Sequence, residues 1–226
     1  MIVQVKIQER CFIKDPDTSE LGQNIVANSI SLIDEIGFEA FTFKKLAKRI
    51  ESTEASVYRY FENKHKLLIY LVSWYWNCFD YRLTFAMQNI ASPERRLEIF
   101  IEHITHPVKV DPTFSHIDEV ALHRIVISES SKAYLTKDVD SDDQEGYFIS
   151  FKNLVNELSK MIAEVNPNYK YPNALISTII ESAHFQRFFS KHLRSLTESN
   201  SDLSLELFLK HLLFSSIKPD YALINS

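Results

Sequence analysis

Glycine is scarce in this chain, 3 residues in 226, and proline numbers only 7. An all-β fold needs turn residues roughly every 8–12 positions, so the shortage points to long helices. Cysteine is nearly missing, with Cys11 and Cys78 alone. Neither has a neighbour at metal-ligand spacing, so both read as reduced thiols. No run approaches the roughly 18 apolar residues of a membrane helix. The N-terminus also lacks the basic-then-apolar pattern of a signal peptide. The expectation is a cytoplasmic protein with no membrane partner. A Gly-rich phosphate loop, G-x-S-x-G and H-E-x-x-H are all missing, and the many carboxylates form no evident catalytic pair. An enzyme is not expected, and neither is a cofactor.

Excess positive charge is lacking too: the net charge is −5. That sum conceals a local reversal. From Thr42 to Leu68 seven basic residues (Lys44, Lys45, Lys48, Arg49, Arg59, Lys64, Lys66) face three acidic ones (Glu51, Glu54, Glu62), a balance of +4, and the other 199 residues sum to −9. A basic segment inside an acidic chain is the electrostatic footprint of a phosphate-binding surface.

Apolar residues make up 45% of the chain and charged residues 24%, enough for a sizeable core in one large domain or two small ones. "IVQVKI" near the start alternates like a short strand. Asp17 with Glu20 three residues on resembles a capping box. Leu21, Ile25, Leu32, Ile33 and Ile36 then recur at helical spacing, flanked by Val26 and Ile30. Gly37 stands where a left-handed C-terminal cap is wanted. Thr42 caps a short helix with Phe43, Leu46, Ala47 and Ile50 on one face and the cations on the other. Thr53 caps a third, in which Val57 and Phe61 point inward. Asn63 caps a fourth that begins at Lys64 and runs to about Gln88. Two short helices joined by a turn of about four residues form the pattern of a helix-turn-helix.

Ser92-Pro93-Glu94 opens the next helix, which stops near Pro107. A short helical segment is expected at Asp111-Pro112, and a helix from Asp118 to about Ser130. The polar, acidic stretch 131–145 reads as an exposed loop. Helices follow at about 146–165, 172–194 and 202–217. The fold class expected is all-α. The domain reading is an N-terminal arm (1–16), a helix-turn-helix head (17–63) and a helical bundle (64–226).

"IDEIGFEAFTFKKLAKRIESTEASVYRYFENKHKLLIYLV", residues 33–72, resembles the DNA-binding head of a TetR/AcrR-type transcriptional repressor. The matching positions are Gly37, Thr42, Leu46-Ala47, Tyr58, Phe61 and Lys64. The family's turn usually carries a glycine after an alanine, and here Ile50-Glu51 stands in its place, followed by Ser52. Glutamate tolerates a positive φ less readily than glycine.

The candidate DNA-binding residues are Thr42, Lys45, Ser52, Thr53, Glu54, Ala55, Ser56, Tyr58, Arg59, Tyr60 and Lys64. Thr42 and Lys64 open helices whose first N–H groups suit a phosphate oxygen. Tyr58, Arg59 and Tyr60 are read as turned outward, where tyrosine hydroxyls meet phosphate. Ala55 fits a thymine methyl and Ser56 a base or phosphate. Glu54 either accepts from a cytosine amine or simply favours the start of its helix.

The resemblance further implies a homodimer on double-stranded, pseudo-palindromic operator DNA, released by a small apolar or aromatic effector. It implies an effector pocket among the middle helices, with Trp74, Phe79, His103, His123, Tyr147, Phe151, His184 and Phe188 as candidates. It also implies a four-helix dimer interface, with Leu175, Ile179, Ala183, Phe208, Leu209 and Leu212 as candidates. His103 and His106, with His116 and His123 beyond, carry a weak HxxH spacing that does not amount to a metal site. The rival function is a helical small-molecule-binding or adaptor protein whose helix-turn-helix has lost DNA binding.

Overall fold

Short polar caps decide where these helices begin. The computed structural model describes residues 11–108 and 116–218, and all regular structure among them is helical. The "IVQVKI" run and Asp111-Pro112 lie outside the described residues. The chain forms α1 (Glu20–Ala40), α2 (Phe43–Arg49), α3 (Glu54–Tyr58), α4 (Lys64–Ala86), α5 (Pro93–Thr105) and α6 (Glu119–Glu129). It continues through α7 (Ser131–Tyr134), α8 (Val139–Gln144), α9 (Ile149–Val165), α10 (Pro172–His192) and α11 (Asp202–Ile217). The expected all-α class holds.

Most expected caps are in place. Thr42 accepts from Lys45 N and Thr53 from Ser56 N, each at 3.2 Å. Asn63 accepts from Lys66 N at 2.9 Å, Ser92 from Arg95 N at 3.2 Å and Asp118 from Ala121 N at 2.9 Å. The start of α1 departs from expectation. Its cap is Ser19, not Asp17, because Asp15 caps a separate 3-10 turn, Pro16–Thr18. That turn packs so closely on Gly22 that a Cβ there would lie 2.3 Å from Pro16 O. Gly37 has φ 76 and ψ 157 and breaks α1 into its main length and a last short turn.

The chain folds as two compact units, Met1–Cys78 with Val108–Phe151, and Phe79–Pro107 with Lys152–Ser226. In the first, Ile25, Ile30 and Ile33 of α1 are buried, as are Leu46, Val57, Phe61, Leu67 and Leu68. Each such side chain contributes about 1.5–3 kcal/mol. α6 packs along α1, where Arg124 clasps Asp34 at distances of 2.9 and 2.6 Å. Glu129 accepts the Phe38 N–H at 3.2 Å, just past the Gly37 break.

The stretch 131–145 is not an exposed loop. It holds α7 and α8 and buries Asp142, which is 2% exposed. Asp142 accepts from His65 Nε2 at 2.9 Å and Lys66 Nζ at 2.6 Å. Burial works against its ionisation, but the hydrogen bonds from Lys66 and His65 outweigh it, so its carboxyl stays below the usual range. α8 ends in a Schellman cap with Gly146 at φ 85.

In the second unit α5, α10 and α11 pack together. Leu97, Phe100 and Ile101 of α5, Ile176, Ile179 and Ile180 of α10, and Leu209 and Leu213 of α11 are all buried. A rim of ion pairs borders them: Lys210 reaches Glu102 at 3.1 Å and Glu206 at 2.7 Å, and Lys218 reaches Glu94 at 3.0 Å.

Candidate nucleic-acid interface and effector region

The turn between α2 and α3 sets the geometry of the head. Ser52 N donates to Ala47 O at 2.9 Å and Glu51 N to Lys48 O at 3.4 Å. This is a complete Schellman cap, and its left-handed position is filled by Glu51 at φ 53. The backbone therefore keeps the conformation glycine favours, and the side chain bears the strain.

α3 then presents a small exposed surface. Thr53, Glu54, Ala55, Tyr58 and Arg59 are exposed, Ser52 and Ser56 are half-buried, and Val57 is fully buried beneath them. The Tyr58 ring stands edge-on to Phe43, with centroids 5.0 Å apart, and is 48% exposed. One face of this tyrosine is thus fixed by α2 while the other is open. The hydroxyls of Thr53 and Ser56 lie 3.0 Å apart and are bonded to each other, and Arg59 Nη2 reaches Ser56 Oγ at 3.4 Å.

Tyr60 departs from the outward reading. It is 3% exposed, and its hydroxyl sits 2.8 Å from Ser19 Oγ, at the start of α1. Its carbonyl accepts Ile13 N at 2.8 Å. The reason is local: α3 ends at Tyr58, so the helical rotation that separates neighbouring side chains no longer governs Tyr60.

Two of the cations are drawn back onto backbone. Lys64 Nζ lies 3.2 Å from Phe38 O, 3.3 Å from Glu39 O and 4.7 Å from the Phe38 ring centroid. Lys45 Nζ lies 2.7 Å from Ala40 O. Both close the corner between α1 and α2. Arg49 is turned to Glu35, with both distances at 2.7 Å, and to Ser31 at 2.8 Å. Lys44, Lys48 and Arg59 remain exposed, with Thr42 beside them. Sequence reasoning passes over Lys44 and Lys48, since a charge run alone does not show which members are consumed by neighbours.

The effector candidates are distributed over both units. Trp74, His123 and Tyr147 are buried in the first, where the His123 ring stacks on Tyr75 with centroids 5.7 Å apart. Tyr147 and Phe151 line a narrow crevice there with Ile69, Val72, Trp76 and Phe148. Lys66 Nζ lies 4.0 Å above the Tyr147 ring, and Ser73 Oγ donates to Tyr147 O at 3.1 Å. Phe79, His103, His184 and Phe188 belong to the second unit. Burial pushes the His184 imidazole down to about 4, with Arg187 adding to the effect, so it is neutral at ordinary pH. His103 Nδ1 sits 3.0 Å from Ile99 O. Among the described residues no cluster of His, Cys, Asp or Glu suits a metal ion. His106 pairs instead with Glu206 at 2.8 Å and His116 with Asp17 at 3.3 Å.

Of the dimer candidates, Leu175, Ile179, Ala183 and Leu209 are buried within the protomer itself, Leu212 is half-buried and Phe208 is 43% exposed. An apolar helical face reads the same whether it covers its own core or a partner. The large exposed apolar side chains on these helices are Phe185 of α10 and Leu203, Leu207 and Phe208 of α11.

A short helix, a capped turn and a second short helix with an exposed leading edge define a helix-turn-helix head. Residues 25–71 match the family model of bacterial regulatory proteins, tetR family. Among solved structures the chain is similar to AibR in complex with isovaleryl coenzyme A and operator DNA, with TM-score 0.61 and 17% identity, over 87% of this chain and 100% of that one. It is similar to the fatty acid degradation regulator FadR from Bacillus halodurans, with TM-score 0.59 and 15% identity, over 88% of this chain and 96% of that one. Apo AibR follows at TM-score 0.55 and 16% identity, over 87% and 99%. At these identities the likeness to solved structures is one of fold. No curated protein matches the sequence. Residues 25–71 thus carry the sequence of that family's head, and the all-helical fold of the described residues agrees with it. Among the described residues no helix is long and apolar enough to cross a membrane.

Proposed function

We propose that this chain is a homodimeric, operator-binding repressor that a small molecule releases. The observation that carries the reading is the head itself. Its two short helices are capped, its turn is closed by a Schellman cap, and Ala55, Tyr58 and Arg59 are left exposed beside Lys44 and Lys48. These residues, with Thr42, Ser52, Thr53, Glu54 and Ser56, form the proposed contact surface. Lys45 and Lys64 act by fixing the corner of the head, and their proximity to phosphate follows from that position.

A two-fold dimer places two recognition helices about one DNA turn apart, which suits a pseudo-palindrome. Phe185, Leu203, Leu207 and Phe208 supply the self-complementary apolar surface for it. The effector acts through α4, whose first turn follows the head directly and whose later turns line the crevice at Ile69, Val72 and Trp76. Ligand and DNA then favour different positions of that helix, and each weakens the binding of the other. The similar structures are named for isovaleryl coenzyme A and for fatty acid degradation, so short acyl thioesters and fatty acids are the first effectors to try.

Fluorescence anisotropy with labelled DNA from beside the gene tests the reading. Binding should weaken steeply with salt, with a log–log slope of about −0.9 for each phosphate neutralised. Y58A combined with R59A should abolish binding while circular dichroism and sedimentation stay unchanged. Failure to bind at low salt would reject the repressor and favour a ligand-binding protein with an idle head.

A further inference from the structure

We infer that Glu54 is a base-reading residue that selects a cytosine in each operator half-site; this rests on the operator-binding reading above. Glu54 is the first residue of α3, the end of a recognition helix that enters the major groove first. It is exposed, and among the described residues its carboxylate has no hydrogen-bond or ionic partner. The neighbouring Thr53, Ser56 and Arg59 are engaged with one another. Thr53 Oγ1 accepts from Ser56 N at 3.2 Å and lies 3.0 Å from Ser56 Oγ, which Arg59 Nη2 also approaches at 3.4 Å. Ala55 offers only a methyl group. Among the described residues Glu54 is therefore the uncommitted charged side chain in the first turn of the helix.

Its charge narrows what it can meet there. A carboxylate brought against phosphates is repelled, and against the acceptor-rich edge of guanine it finds no donor. Adenine offers a single amine beside an acceptor. The cytosine N4 amine donates into the major groove with no acceptor of its own on that edge, and a carboxylate is its fitting partner. Tyr58 lies one helical turn on, on the same face. With its ring fixed against Phe43 it anchors the backbone side, leaving the leading end to face bases.

Selection from a random DNA library with the full-length protein decides the matter, run in parallel with wild type, E54Q and E54A. Wild type should enrich a cytosine at one position of each half-site. E54Q should move that preference towards adenine, which glutamine holds through N6 and N7, and E54A should lose it. Measured affinities should show about tenfold discrimination by the wild type at that position, which E54A erases. Thermal melts of all three confirm folding, and should E54A fail to fold, the glutamine variant alone decides. If all three enrich one motif while only their stabilities differ, Glu54 merely supports the start of α3 and the inference is overturned. If wild type enriches no motif, the inference falls together with the operator reading, and that result is distinct from an unchanged motif.

Discussion

Replacing Glu51 by glycine should stabilise the head without adding a single contact. Glu51 holds the left-handed position of the Schellman cap at φ 53. A side chain in that conformation costs roughly 1–2 kcal/mol. Glycine relieves the cost but gives the unfolded chain more freedom, which returns roughly 0.5–1 kcal/mol. The net gain is about 0.5–1 kcal/mol, or about 1–4 °C in Tm at this chain length. Two controls separate backbone strain from charge. E51Q removes the charge and keeps the strain, so it should leave stability unchanged. E51N, with a residue that tolerates the left-handed region, should fall between. Thermal and denaturant melts followed by circular dichroism measure all three. Should E51G prove no more stable than wild type, the strain argument would fail; should E51Q gain as much as E51G, charge repulsion at the turn would replace it.

The remaining expectations concern separate parts of the fold. Y60F removes the hydroxyl that meets Ser19 at 2.8 Å and should cost about 1 kcal/mol in a denaturant melt. DNA affinity, corrected for the folded fraction, should stay as it was. G37A forces a side chain into φ 76, ψ 157, a region close to glycine-only, and should cost about 1–3 kcal/mol by the same assay. D142N removes the charge between His65 and Lys66, and breaking such a buried pair costs about 3 kcal/mol. Because the Asp142 carboxyl is held below its ordinary value, its stabilisation is complete above about pH 4 and is lost as pH falls through the folded value. Acid titrations of wild type should therefore show a loss of stability there that D142N lacks. F208E should shift the protein towards monomer in sedimentation while its melt is retained, whereas L209E, at a fully buried position, should unfold it.

What the sequence could reveal here depended on how far apart the interacting residues lie. Thr42, Thr53, Asn63, Ser92 and Asp118 could be recognised as caps because each bonds a backbone N–H three residues on. Val57 and Phe61 could be placed in the core because one helical turn relates them. Asp142 could not be placed, since its burial depends on His65 and Lys66, whose bonds to it span more than seventy residues. The acidic stretch around it has the composition of a loop, and only a distant pair of basic side chains makes a helix there worthwhile. Tyr58 and Tyr60 look equivalent in the sequence, yet α3 ends between them and sends one outward and the other to Ser19. Leu175, Ile179, Ala183 and Leu209 show the same limit, as apolar periodicity does not distinguish a protomer's own core from a partner's.

The first compact unit has a practical consequence for anyone wishing to study the helix-turn-helix head alone. Its chain is discontinuous: α6, α7 and α8 come from 108–151, after an excursion through the second unit. Cutting after residue 78 would strip Arg124 from Asp34, Glu129 from the Phe38 N–H beyond Gly37, and Asp142 from His65 and Lys66. A head excised in this way would present a raw apolar flank along α1 and two orphaned basic side chains at the start of α4. Weak DNA binding by such a fragment would report on the missing flank and not on α3.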